Sequence, residues 1–194
     1  MKITAIVLAA GKSSRMGVNK LLLELDGKTI LDHILDNLRF YNTIVVTGHR
    51  PWEIMPSIEA HGARAVHNPD YENGMTTSFQ AGLRALSPEV DTVYMVLSDT
   101  FGFKPELLEA MELKMASTTA LLVSPVYEGK RGHPVLVAYE LFQEFLDLGE
   151  GETMKDVIIR HEDEHEYVPG DIWTSIDLDT PEDYEKVKRL WASS

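Results

Sequence analysis

The residues best able to handle an anion stand near the amino end, in Leu8-Ala9-Ala10-Gly11-Lys12-Ser13-Ser14-Arg15-Met16-Gly17, with Lys20 just beyond. Glycines let a backbone approach a phosphate and aim its N–H groups at the oxygens, while Lys and Arg supply mobile and forked cations. The first 20 residues carry Lys2, Lys12, Arg15 and Lys20 and no acid, whereas the whole chain has a net charge of −13. A local basic island, helped by a metal ion, is what an acidic protein needs in order to hold a polyphosphate. The same residues would also make an ordinary basic turn between a strand and a helix.

Spacing removes two familiar phosphate loops. Five residues separate Gly11 from Gly17 and Val18-Asn19 follows, so no P-loop is present, and neither is a Gly-x-Gly-x-x-Gly fingerprint. A second set of candidates is acidic. Asp99 follows the apolar run 92–97, which puts a carboxylate at the carboxyl end of a buried strand; the other reading is a cap for a helix starting near Pro105. Asp177 and Asp179 alternate with Ile176 and Leu178, so a strand there would show both carboxylates on one face. Thr180-Pro181-Glu182-Asp183 offers a helix its own N-cap, a proline at the first helical position and an acid at the third, which leaves both aspartates free. One or two carboxylates with phosphate oxygens form the donor set that Mg²⁺ prefers. Cysteine is absent, and so is a Gly-x-Ser-x-Gly elbow, so thiol and serine-triad chemistry have no motif to stand on. His161 and His165, four apart among Glu162, Asp163, Glu164 and Glu166, read as a solvated charged segment.

These residues need a scaffold, and 194 residues with 44% hydrophobic content suffice for one core, hence a single domain over 1–194. No stretch approaches the roughly 20 apolar residues of a membrane span, and no cleavage pattern follows the apolar run 3–10, so the chain reads as soluble and cytoplasmic. Its negative charge argues against a nucleic-acid surface. Apolar runs at 3–8, 43–48, 64–67, 92–97 and 119–124 read as strands, and periodic segments at 29–38, 51–60, 76–86 and 105–115 as helices. Such alternation predicts an α/β, three-layer α/β/α fold on a mostly parallel, Rossmann-like sheet. Farther on, 123–127 and 133–137 around the turn 128–132 predict an appended β-hairpin. Helices follow at 139–148, 154–160 and 181–191, with extended segments at 166–168 and 175–178.

Leu8-Ala9-Ala10-Gly11-x-Ser13-x-Arg15-Met16-Gly17-x-x-Lys20 resembles the signature loop of the MobA-like NTP transferases. Two further segments resemble the molybdenum cofactor cytidylyltransferases within that superfamily: Asn68-Pro69-x-Tyr71-x-x-Gly74-Met75-x-x-Ser78-x-x-Ala81-Gly82-Leu83, and Arg131-Gly132-His133-Pro134-Val135-Leu136. Together with Asp99 and the 177–183 segment, the likeness spans nearly the whole chain.

The resemblance implies a Mg²⁺-dependent transfer of a nucleoside monophosphate, CMP from CTP, to the phosphate of a molybdenum pterin cofactor, with release of pyrophosphate. It also implies a molybdoenzyme or its chaperone as recipient of the product. Leu8, Ala9, Ala10, Gly11, Lys12, Ser13 and Ser14 would wrap the triphosphate, with Arg15 and Lys20 on its oxygens as catalytic cations beside Asp99. Asn68, Gly74, Met75 and Ser78 would meet the base or ribose; plain capping of a helix start is the other reading. Asp99 and Asp177 would hold the metal, with Asp179 bracing the turn; Asp179 as the second ligand in place of Asp177 is the other reading. His133 would face the acceptor, unless it is a structural imidazole bonded to backbone. Where these transferases continue with Gln-Pro after the aspartate, this chain has Thr100-Phe101-Gly102. Where they show Gly-Asp-x-Gly-Ala-Arg, it has Gly149-Glu150-Gly151-Glu152-Thr153-Met154-Lys155, so Lys155 is expected to take the arginine's place at the acceptor. Guanylyl transfer, transfer to another phosphorylated acceptor such as a sugar or small alcohol phosphate, and nucleotide binding without turnover remain the alternatives.

Overall fold

The alternation of buried strands and amphipathic helices folds as its period demands. The computed structural model describes residues 1–193. Strand β1 (Ile3–Ala9) leads through a long loop to the short hairpin β2 (Glu24–Leu25) and β3 (Lys28–Thr29), then to α1 (Ile30–Asn37) and β4 (Asn42–Thr47). Next come α2 (Met55–Ala60), β5 (Arg64–His67), α3 (Met75–Arg84), β6 (Thr92–Leu97) and α4 (Pro105–Ser117). The second half runs β7 (Leu122–Tyr127), β8 (Lys130–Arg131), β9 (Val135–Ala138), α5 (Phe142–Leu146), α6 (Met154–Arg160), β10 (His165–Pro169) and α7 (Pro181–Trp191).

The main sheet has the order β10-β7-β9-β6-β1-β4-β5, with β8 paired to β7. β6, β1, β4 and β5 are parallel, as are β7 and β10, so the three-layer expectation holds. The strand period of two divides the core. Ala5 and Val7 of β1 face one apolar cluster with Ile34 of α1, Ile58 of α2, Met111 of α4 and Val187 of α7. Ile6 and Leu8 face the other, with Phe79 of α3, Phe145 of α5 and Val157 of α6. Helix starts follow their sequence signals: Thr29 with Asp32 and Thr180 with Asp183 form capping boxes at α1 and α7. Among the described residues no helix is long and apolar enough to cross a membrane.

The structure adds to the sequence reading at four places. The hairpin lies within the sheet, because β9 runs antiparallel between β6 and β7 and bonds to both. The segment 175–178 forms no strand; a 3₁₀ turn at Ile172–Thr174 precedes it, although Ile176 and Leu178 are buried as the alternation requires. His165 is not solvated: it is buried on β10 with its Nε2 2.8 Å from the Ser124 hydroxyl, and burial lowers its pKa to about 4. The β2–β3 hairpin had only its Asp26-Gly27 pair as a signal, and both residues take positive φ, 50° and 76°.

Helix α3 sits close to β1 because position 82 has no side chain. A Cβ on Gly82 would lie 2.5 Å from Cγ2 of Ile6, inside the core. Alanine in an exposed helix would stabilise by about 1 kcal/mol. Here the clash reverses the sign, and Gly82→Ala is expected to destabilise the fold by about 1–3 kcal/mol. Urea unfolding of the two proteins tests this, and an unchanged or higher midpoint would contradict the close packing.

Candidate functional site

Because β1, β4 and β6 are parallel, the segments leaving their carboxyl ends emerge on one edge of the sheet, where ligands of open α/β sheets bind. There a cavity of about 400 Å³ is lined by Leu8, Ala9, Ala10, Gly11, Ser13, Ser14, Arg15 and Lys20 from the first loop. Tyr71, Gly74, Met75 and Ser78 form a second wall, with Leu97, Ser98, Asp99 and Asp179 completing it. A larger cavity of about 620 Å³ opens at the opposite edge, by the amino ends of β1 and β4. Its Arg39 and Arg64 donate to the carbonyls of Asp36 and Ala85 at the ends of α1 and α3, so these cations close helix termini.

The first loop is held in shape by its own bonds. Met16 is buried in the core, Ser13 takes φ 49°, and its carbonyl accepts from the N–H groups of Met16 and Gly17. The Ser13 hydroxyl accepts from the Lys20 N–H at 3.2 Å, and Asn19 caps the 3₁₀ turn Lys20–Leu22 by accepting from Leu21 N–H. This turn aims the Lys20 side chain inward, 13% exposed, with its Nζ 3.2 Å from Oδ1 of Asp179 and 3.5 Å from Oδ2 of Asp99. Arg15 is on the outer side, 71% exposed, with Nη2 2.7 Å from Oδ2 of Asp179. Lys12 reaches across to Glu72, Nζ to Oε1 at 2.5 Å.

Asp99 stands where the sequence placed it. The backbone behind it is fixed by Thr100 N–H bonding to the Leu97 carbonyl, by the Asn37 amide donating to the Phe101 carbonyl, and by the buried rings of Phe101 and Phe103. Capping of α4 is not its role, since Lys104 occupies that position without a side-chain cap. The late carboxylate in the cavity is Asp179. Asp177 is exposed, lines no part of the cavity and, among the described residues, has no hydrogen bond or ion pair. The expected shared strand face does not form, and Asp179 is drawn in by Arg15 and Lys20 while Asp183 takes over the turn by accepting from the N–H groups of Asp179 and Thr180.

On the second wall Gly74 begins α3 with φ 101° and ψ 177°, a region nearly restricted to glycine. Met75 is exposed at the mouth. Asn68 does not line the cavity: it is buried, and its amide donates to the hydroxyls of Thr77 and Ser78 at 3.0 Å, so it supports Ser78 from behind. His133 and Lys155 are also outside the lining. The His133 N–H donates to the Thr174 carbonyl, its Nδ1 is buried without a partner among the described residues, and burial lowers its pKa while nearby Asp99 and a bond to the Met95 backbone oppose that shift. Lys155 is exposed on α6. Tyr71, Leu97 and Ser98 line the cavity and were left out of the site by sequence reasoning, Tyr71 carrying one signal, its place in the 68–83 motif; Asp179, weighed there against Asp177, is the one of that pair in the lining.

The cavity sets two cations, Arg15 and Lys20, beside two carboxylates that could hold a metal, and Lys12 stands outside its lining, paired with Glu72. Among the described residues no third Asp, Glu or His joins Asp99 and Asp179 in a closed metal cage.

The profile of the MobA-like NTP transferase domain matches residues 5–165. The molybdenum cofactor cytidylyltransferase of Escherichia coli is 32% identical over 97% of both chains. A probable molybdenum cofactor guanylyltransferase of Methanosarcina acetivorans is 27% identical over 95% of this chain and 89% of its own. In fold, the chain is similar to Rv0371C of Mycobacterium tuberculosis, solved in complex with manganese, at 23% identity, TM-score 0.81, and coverage of 97% of this chain and 99% of that one. The chain belongs to the MobA-like NTP transferase family.

Proposed function

We propose that the chain transfers CMP from CTP to the phosphate of a molybdenum pterin cofactor and releases pyrophosphate. The observation that carries the reading is the Lys20 ammonium set between Asp99 and Asp179 at the end of the phosphate loop. An acceptor phosphate oxygen attacks the α-phosphorus in line, a new P–O bond forms, the bond to the bridging β-oxygen breaks, and pyrophosphate leaves with the electron pair. A phosphate nucleophile is already anionic, so no general base is needed, and the work reduces to positioning and charge neutralisation. Lys20 and Arg15 turn from their carboxylates to the phosphate oxygens. Asp99 and Asp179 would hold Mg²⁺, which supplies Lewis-acid stabilisation of the charge on the transferring group. Gly74, Met75 and Ser78, with Tyr71 opposite the loop, would seat the nucleoside.

The cytidylyl choice rests on the 32% identical E. coli relative, and the guanylyltransferase relative keeps guanylyl transfer as the second reading. A binding protein without turnover fits less well, because it would not need two carboxylates beside the phosphate cations.

Pyrophosphate release measured with each of the four NTPs, Mg²⁺ and candidate acceptors tests the reaction: CTP with molybdopterin is expected to turn over, and turnover only with another pair would replace that reading. Asp99→Asn is expected to lower kcat by about 10²–10³-fold with an unchanged melting temperature, as loss of a charge-stabilising group does. For the second ligand, Asp179→Asn should lower the rate comparably and Asp177→Asn should leave it within about twofold. The reverse order would return the metal role to Asp177.

A further inference from the structure

Each cation of the phosphate loop is already paired inside the protein. Lys20 and Arg15 share Asp179, and Lys12 is bound to Glu72. A metal on Asp99 and Asp179 would offset those two carboxylates and free Lys20 and Arg15. It would not offset Glu72, which lies outside the cavity lining in the 3₁₀ turn Tyr71–Asn73, next to the lining residue Tyr71. The backbone carrying Glu72 is fixed there, because the Tyr71 side chain is wedged against the end of β4: a Cβ on Gly48 would lie 2.6 Å from the Tyr71 ring. Lys12 and Glu72 are 49% and 61% exposed, so their pair is of the weak, screened kind that a multiply charged phosphate displaces. The hydrogen bond between them raises the Lys12 pKa and lowers that of Glu72, so both stay charged at neutral pH.

We propose that Glu72 tunes affinity by competing with the ligand for Lys12, so that a ligand long enough to place a phosphate on Lys12 must open the pair and binds more weakly for it. The inference rests on the nucleotide reading of this cavity. A short ligand held by Lys20 and Arg15 leaves the bridge closed and gains nothing from Lys12. A triphosphate takes Lys12 but must first displace Glu72.

Calorimetric titration of the tightest-binding NTP and its di- and monophosphate, with Mg²⁺, into wild type and Glu72→Gln tests this. The triphosphate is expected to bind about two- to fivefold more tightly to Glu72→Gln, the monophosphate equally, and the difference to fade toward 0.5 M salt as screening increases. In a Lys12→Gln background the Glu72→Gln change should have no effect. Persistence of the gain in that background would show general repulsion rather than competition, and an equal gain for all three ligands, or none, would also overturn the proposal. Failure of wild type to bind any NTP would overturn the nucleotide reading with it; binding with no Glu72 effect removes this inference alone.

Discussion

The Lys20 ammonium is carried into the angle between Asp99 and Asp179, and this contact sets the demands that the rest of the structure meets. A lysine that is 13% exposed needs counter-charges, and two carboxylates facing each other need a cation. Bringing them together requires residues 159 positions apart to meet. Parallel β1 and β6 deliver Lys20 and Asp99 to one edge, and α7, packed through Val187 on the face of Ala5 and Val7, holds the chain end that presents Asp179. The capping box of Thr180 and Asp183 stops the preceding backbone from wandering, which leaves the Asp179 side chain to the cavity.

The same contact rationalises the chemistry. In the structure the carboxylates and the cations satisfy one another; in the proposed transfer the cations would go to the triphosphate and the carboxylates to the metal. In the proposed transfer no histidine or serine in the cavity would be required to move a proton, because the attacking phosphate would arrive charged. The concentration of cations in the first 20 residues of an otherwise acidic chain thus has a local purpose.

What the sequence disclosed follows from how local each signal is. β1, β6 and α7 were legible because apolar runs and caps act over a few residues, and Asp99 was legible because it ends such a run. The insertion of β9 between β6 and β7 was not, since pairing partners in a sheet carry no local mark. Asp177 and Asp179 are equivalent by alternation, and only the tertiary pull of Arg15 and Lys20 separates them. Asn68 and His133 belong to quoted motifs yet lie outside the cavity lining, one supporting Ser78 and the other bonded through its backbone to Thr174. A motif marks residues that matter to a site without saying which of them touch the ligand.

If Lys20 and Arg15 exchange carboxylates for phosphates while Asp99 and Asp179 exchange ammonium for metal, nucleotide and metal must assist each other's binding. Titration of CTP with Mg²⁺ and again with chelator measures that coupling directly. The exchange predicts binding about 5- to 150-fold tighter with the metal, the usual span of such linkage. Equal or tighter binding without the metal would contradict it.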